Sequence, residues 1–113
     1  MAVRVEEYLK EDGSNPYKAW FDSLDPRAAA KVTTAKLRPE LGNTSSVKWF
    51  EGMGEYVIDW GPGYRVYFGR DGQRVVVLVC GGDKRSQDSD IRKAVELWHE
   101  YGKRRKPAPR ARG

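Results

Sequence analysis

Three cations gather around two glycine turns in this chain. Arg65 sits inside Gly61–Phe68 (GPGYRVYF), and Lys84 and Arg85 follow Gly81-Gly82-Asp83 directly. Lys48 lies ahead of them, Tyr67 stands two residues from Arg65, and Gln87 and Asp88 come just after Arg85. Arginine and lysine can neutralise anionic oxygens, and glycines let backbone approach a phosphate closely. Asp83, Asp88 and Asp90 crowd the same segment, so a plain loop with surface cations is the competing reading. His99, the one histidine, falls off the apolar stripe of its segment and reads as a surface residue. There is no Walker loop, no GxGxxG, no cysteine or histidine cluster for zinc and no serine nucleophile signature. Metal catalysis and histidine-based hydrolysis are therefore poor fits, and no cofactor is implied.

The elements that must position these residues are strands. Asp71-Gly72 separates Tyr64–Arg70 from the valine-rich run Gln73–Cys80, and Asp-Gly between apolar runs is a hairpin signal. Gly61-Pro62-Gly63 is a second turn, which makes Glu55–Trp60 a third antiparallel strand. With a two-residue loop at Asp71-Gly72, Phe68, Val66 and Tyr64 face Val75, Val77 and Val79. With a three-residue loop at Gly61–Gly63, Asp59 faces Arg65 and Val57 faces Tyr67. An arginine in mid-sheet needs either a partner, here Asp59, or a job.

The remaining chain supplies a first strand to about Tyr8. Asn15-Pro16 opens a helix to about Ser23, and Asp25-Pro26 opens another, Arg27–Arg38, stopped by Pro39. Leu41–Ser46 reads as loop and Val47–Phe50 as a short strand. Ile91, Ala94, Val95, Trp98 and Tyr101 mark one face of a last helix, capped by Ser86 or Asp88. The expected fold is α+β: a compact single domain with a mostly antiparallel four- to five-stranded sheet, two N-terminal helices and a C-terminal helix, the helices on one face. Its 113 residues are 39% apolar and include four Trp, six Tyr and three Phe, enough for one core. Cys80, the single cysteine, reads as a small buried hydrophobe. No apolar run approaches the ~18 residues of a membrane span, and no signal peptide opens the chain, so a cytoplasmic protein is expected.

The net charge of +5 is uneven. Six of the 21 Lys and Arg residues lie in 103–113, which holds none of the 16 acids, so residues 1–102 carry 15 bases against 16 acids. The expected division is a folded domain over 1–102 and a basic disordered tail over 103–113. That tail is either a solvated end or a segment attracted to nucleic-acid phosphates.

GPGYRVYF, a turn, a hydrophobic strand ending CGGDK, then Gln87-Asp88, Asp90-Ile91, Ala94 and Leu97-Trp98 resemble the RelE/ParE toxin superfamily. More narrowly, they resemble its HigB-like "addiction module killer protein" branch. The resemblance is strongest over residues 47–101 and extends more loosely to Trp20–Leu24. It implies the toxin of a type II toxin–antitoxin pair, paired with a helix-turn-helix antitoxin and touching DNA only through that complex. RelE-like members cut messenger RNA on the ribosome and ParE-like members poison DNA gyrase; this branch is usually assigned to the nuclease side. By position, the resemblance implies Arg65, Lys84, Tyr67 and Asp88 as catalytic candidates. Lys48, Arg85 and Gln87 become candidates for holding RNA phosphates. Relatives commonly carry Glu-Leu-Arg where this chain has Glu55-Tyr56-Val57, so one cation of the pattern is absent.

Overall fold

Asn15 and Asp25 open the two N-terminal helices, each through a side-chain oxygen that accepts a backbone N–H three residues on, from Lys18 and Ala28. The computed structural model describes residues 4–40, 47–72 and 75–105. In chain order the elements are β1 (Arg4–Glu7), α1 (Pro16–Asp22), α2 (Pro26–Glu40), β2 (Val47–Phe50), β3 (Met53–Ile58), β4 (Tyr64–Asp71), β5 (Val75–Gly82) and α3 (Gln87–Arg105), with a 3-10 turn at Lys84–Ser86. They form a compact α+β domain with one five-stranded mixed sheet, ordered β1-β5-β4-β3-β2. Only β1–β5 is parallel; the other three pairings are antiparallel.

The helices cover both faces of this sheet, not one. Tyr17 of α1 and Val32 and Ala35 of α2 pack with Tyr56, Ile58, Val66, Phe68, Val76 and Leu78. Ala94 and Leu97 of α3 pack on the opposite side with Met53, Tyr67, Val77, Val79 and Cys80. The physical reason lies in β5, an unbroken apolar run that can be satisfied only by burial on both sides. Cys80 is buried, as its place in that strand suggests.

Both hairpins differ from the expected register. Ile58 pairs with Tyr64, so the β3–β4 connection is Asp59–Gly63, and Val57 faces Arg65 while Glu55 faces Tyr67. Trp60 N–H bonds Ile58 O at 2.8 Å and Gly63 N–H bonds Trp60 O at 3.2 Å, a wider turn than the glycines alone suggest. At the other hairpin Asp71 pairs with Val75 and Phe68 with Leu78. A bulge at Tyr67/Phe68 then leaves Val79 unopposed, bringing Cys80 opposite Tyr67, Gly81 opposite Val66 and Gly82 opposite Arg65.

Some ends also move. α2 runs to Glu40, past the expected stop, since a proline in the last turn ends the bonding ladder without undoing the turn before it. Asp83, not Ser86 or Asp88, caps the turn that leads into α3. That helix runs on to Arg105, three residues into the segment expected as tail. The loop expected over Leu41–Ser46, the start of the valine strand at Gln73 and the tail from 106 onward lie outside the described residues. Among the described residues, no helix is long and apolar enough to cross a membrane.

Candidate functional site

Arg65 points to the sheet face that α3 covers, with 10% of its side chain exposed. Its Nη1 donates to the Gly63 carbonyl at 2.7 Å, and its Nε lies 3.4 Å from Glu55 Oε2. That second contact has an ion-pair distance without hydrogen-bond geometry, so Nε keeps an unsatisfied N–H. The same Glu55 oxygen accepts the Tyr67 hydroxyl at 2.9 Å and Gln87 Nε2 at 2.8 Å. Glu55 is 2% exposed. A carboxylate at that depth persists only with a cation and donors around it, and this one has a guanidinium, a phenol and an amide.

Asp59, the expected partner of Arg65, does not pair with it. Glu55, two positions earlier in the strand, takes the role. In the sequence Glu55 stands out only beside the Glu-Leu-Arg pattern; the signal for its role is an acid on the same strand face as Asp59. Tyr67 is wholly buried. Burial first, and then its hydrogen bond to Glu55, push its hydroxyl far above the ordinary phenol value. It therefore keeps its proton and donates it to Glu55, bracing the carboxylate from inside.

Gly63 sets the space in front of this network. It adopts φ +78°, and a Cβ there would stand 3.3 Å from Arg65 Nη1 and 3.8 Å from Lys84 Cβ. The glycine thus satisfies a left-handed turn and leaves space between the Arg65 guanidinium and the root of the Lys84 side chain. Lys84 is exposed on the 3-10 turn. Lys48 stands opposite Glu55, so Lys48, Glu55, Tyr67 and Cys80 form one row across the sheet, with Lys48 exposed on the edge strand β2.

Lys84, Arg85, Gln87 and Asp88 share a depression of about 420 Å³ with Ser86 and Arg92. Arg92 was not singled out from the sequence; it lies one helical turn beyond Asp88, on the polar side of α3. Arg85 donates to Asp83 at 3.1 Å, and this hydrogen bond holds the Asp83 carboxyl below its ordinary value. The pair is exposed on the arginine side and holds the guanidinium only lightly. Asp90 accepts from Ser86 Oγ and fills the space that a side chain at position 82 would need, which is why Gly82 is there. Of the acids that crowd this segment, Asp83 and Asp90 are thus engaged locally, while Asp88 is exposed in the depression. His99 is exposed at the other end of α3. Among the described residues, no group of three His, Cys, Asp or Glu side chains gathers as a metal ion would need.

Chemically, this is a corner for an anion. It offers a braced guanidinium, the exposed Lys84 side chain rooted nearby, further cations at the rim and the exposed carboxylate of Asp88. The fold and corner define the class: a small α+β domain with a cation-lined corner where a buried ion-pair network reaches the surface. No family model matches the chain. It is 40% identical over 104 residues to an uncharacterized protein of Haemophilus influenzae, a match covering 90% of this chain and 99% of that protein. The chain belongs to the same family as that protein.

Proposed function

We propose that this chain is the toxin of a type II toxin–antitoxin pair, with a RelE-like fold, and that it cuts messenger RNA on the ribosome in the cytoplasm. The observation that carries this reading is Arg65, nearly buried, fixed by Gly63 and Glu55, with Lys84 across an open glycine. In such cutting the ribose 2′-oxygen attacks the adjacent 3′-phosphorus and the bond to the 5′-oxygen breaks. The products are a 2′,3′-cyclic phosphate and a 5′-hydroxyl; one proton leaves the 2′-hydroxyl and one is delivered to the 5′-oxygen. A guanidinium held in place can stabilise the extra negative charge of the pentavalent phosphate, and its rigidity removes the cost of reorganising it during reaction.

Lys84 neutralises a second phosphate oxygen, and Lys48, Arg85 and Arg92 hold the strand on either side. Gln87, tied to Glu55, positions the network and moves no proton. Tyr67, buried beneath Glu55, does the same. Asp88 is the exposed group left to exchange protons with the RNA. A helix-turn-helix antitoxin is the expected partner, and DNA is reached only through that complex.

One observation favours a second reading, a disarmed homologue that only binds its antitoxin. Val57 lies directly opposite Arg65, at the position where the resembled toxins commonly carry an arginine. A gyrase-poisoning protein on the same fold is the remaining alternative. Purified ribosomes on a defined message, with cuts mapped by primer extension, separate the three. Codon-registered cuts that need the ribosome and vanish in Arg65→Ala support the nuclease. Growth arrest without cuts points to gyrase, and neither cuts nor arrest points to a disarmed homologue.

A further inference from the structure

The far end of α3 carries a second cleft, of about 560 Å³, between the end of β4 and the last turns of the helix. Trp98 and Tyr101 stack in its wall with ring centres 5.0 Å apart and planes 7° apart. Arg70, His99 and Lys103 stand around it and are exposed. Its lining includes one carboxylate, Asp71, which already accepts the Tyr101 hydroxyl at 2.7 Å. Gly102 adds no side chain, and a Cβ there would meet nothing within 4 Å, so the mouth is open on that side. Helical rise places the cleft about 20 Å from the start of α3, well away from the Arg65 corner.

We propose that this cleft is a second nucleic-acid site, seating one nucleotide of a single strand with its base on the Trp98–Tyr101 pair and its phosphate toward Arg70 and Lys103. Two rings already stacked in the cleft wall favour a base that continues the stack on an outer ring face, and cations beside it suit the backbone. Charge favours the same occupant. The cleft marks the point where the chain turns basic, since residues 103–113 hold six Lys and Arg and no acid. The inference rests on the nuclease reading only for the strand being RNA; seating a base needs no cutting.

The test uses the full chain and a labelled single strand of about ten 2′-deoxynucleotides, which 2′-hydroxyl attack cannot cut. The double variant His99→Ala/Lys103→Glu changes two exposed side chains, and its melting curve checks the fold. Fluorescence anisotropy should show binding weakened about tenfold, with the slope of log affinity against log salt shallower by about one. Adenosine 5′-monophosphate should quench tryptophan emission in the wild type but not in Trp98→Phe, which keeps a ring in the wall. Unchanged affinity and slope in the double variant would overturn the site, as would an oligoglutamate peptide that displaces the strand and binds more tightly. Strand binding that weakens in the double variant, while the wild type cuts no message, supports the cleft and defeats the nuclease reading alone.

Discussion

Arg65 has two jobs, and they can be separated. It neutralises Glu55 inside the fold, and it presents a guanidinium at the corner. Removing it alone leaves a charged carboxylate buried, so Arg65→Met should cost about 3–5 kcal/mol in urea unfolding. Adding Glu55→Gln removes that charge while keeping an acceptor for Tyr67 and Gln87, and should restore most of the stability. Message cutting should stay lost in both. Recovery of cutting along with stability would reduce Arg65 to a structural residue. Cys80 tests the same face by its thiol, which burial pushes up to about 12 from an ordinary 9.0. Being protonated, it should resist alkylation at pH 8 until the chain is unfolded. The folded state holds this proton more tightly than the unfolded chain, so the thiol's contribution to stability falls as pH rises from about 9 to about 12. Rapid labelling of the native protein at pH 8 would contradict this burial.

At the scale of elements, rings lie on glycines. The Trp20 ring of α1 lies where a Gly81 side chain would stand, and the Trp98 ring of α3 occupies the same place over Gly69. Gly81→Ala should therefore destabilise by about 1–3 kcal/mol through forced displacement of Trp20. Gly102→Ala, in α3 with nothing near it, should instead stabilise by about 0.5–1 kcal/mol. Denaturant midpoints of the two variants check the contrast; equal shifts would deny the helix seat on Gly81. The element order was legible because caps, glycine turns and apolar periods are local signals. Register was not, because Gly-Pro-Gly and Asp-Gly mark that a turn exists without counting its residues. The β3–β4 slip of two residues changed the partner of Arg65 from Asp59 to Glu55 but kept its face, so Arg65 and Tyr67 remained on one face. The β4–β5 slip was odd, which moved Val77 and Val79 to the α3 face. Burial of Tyr67 depends on α3 closing over it, a contact set by packing between distant segments.

For the whole molecule, charge and anchoring divide the C-terminal segment. Arg104 hydrogen-bonds the Leu9 carbonyl and stands 5.7 Å over the Tyr8 ring, while Tyr8 donates to Glu100 at 2.6 Å. These contacts tie the last turn of α3 to the exit of β1. Deleting 106–113 should flatten the salt dependence of ribosome or RNA binding by about two to three units, in line with the three cations removed. Deleting from 103 should also lower the melting temperature, because the Arg104 anchor goes with it. An unchanged salt slope in the shorter deletion would make the segment a bystander. On the proposed reading, the Arg65 corner stabilises attack by a ribose 2′-hydroxyl. Its most direct test is a ribosome-bound message whose cut site, mapped on all-ribose RNA, is rebuilt with a single 2′-deoxyribose on the 5′ side of the scissile phosphate. The all-ribose message should be cut to a 2′,3′-cyclic phosphate end, and the deoxy-substituted message should stay intact. Cutting of both messages alike, or of neither, would contradict this reading.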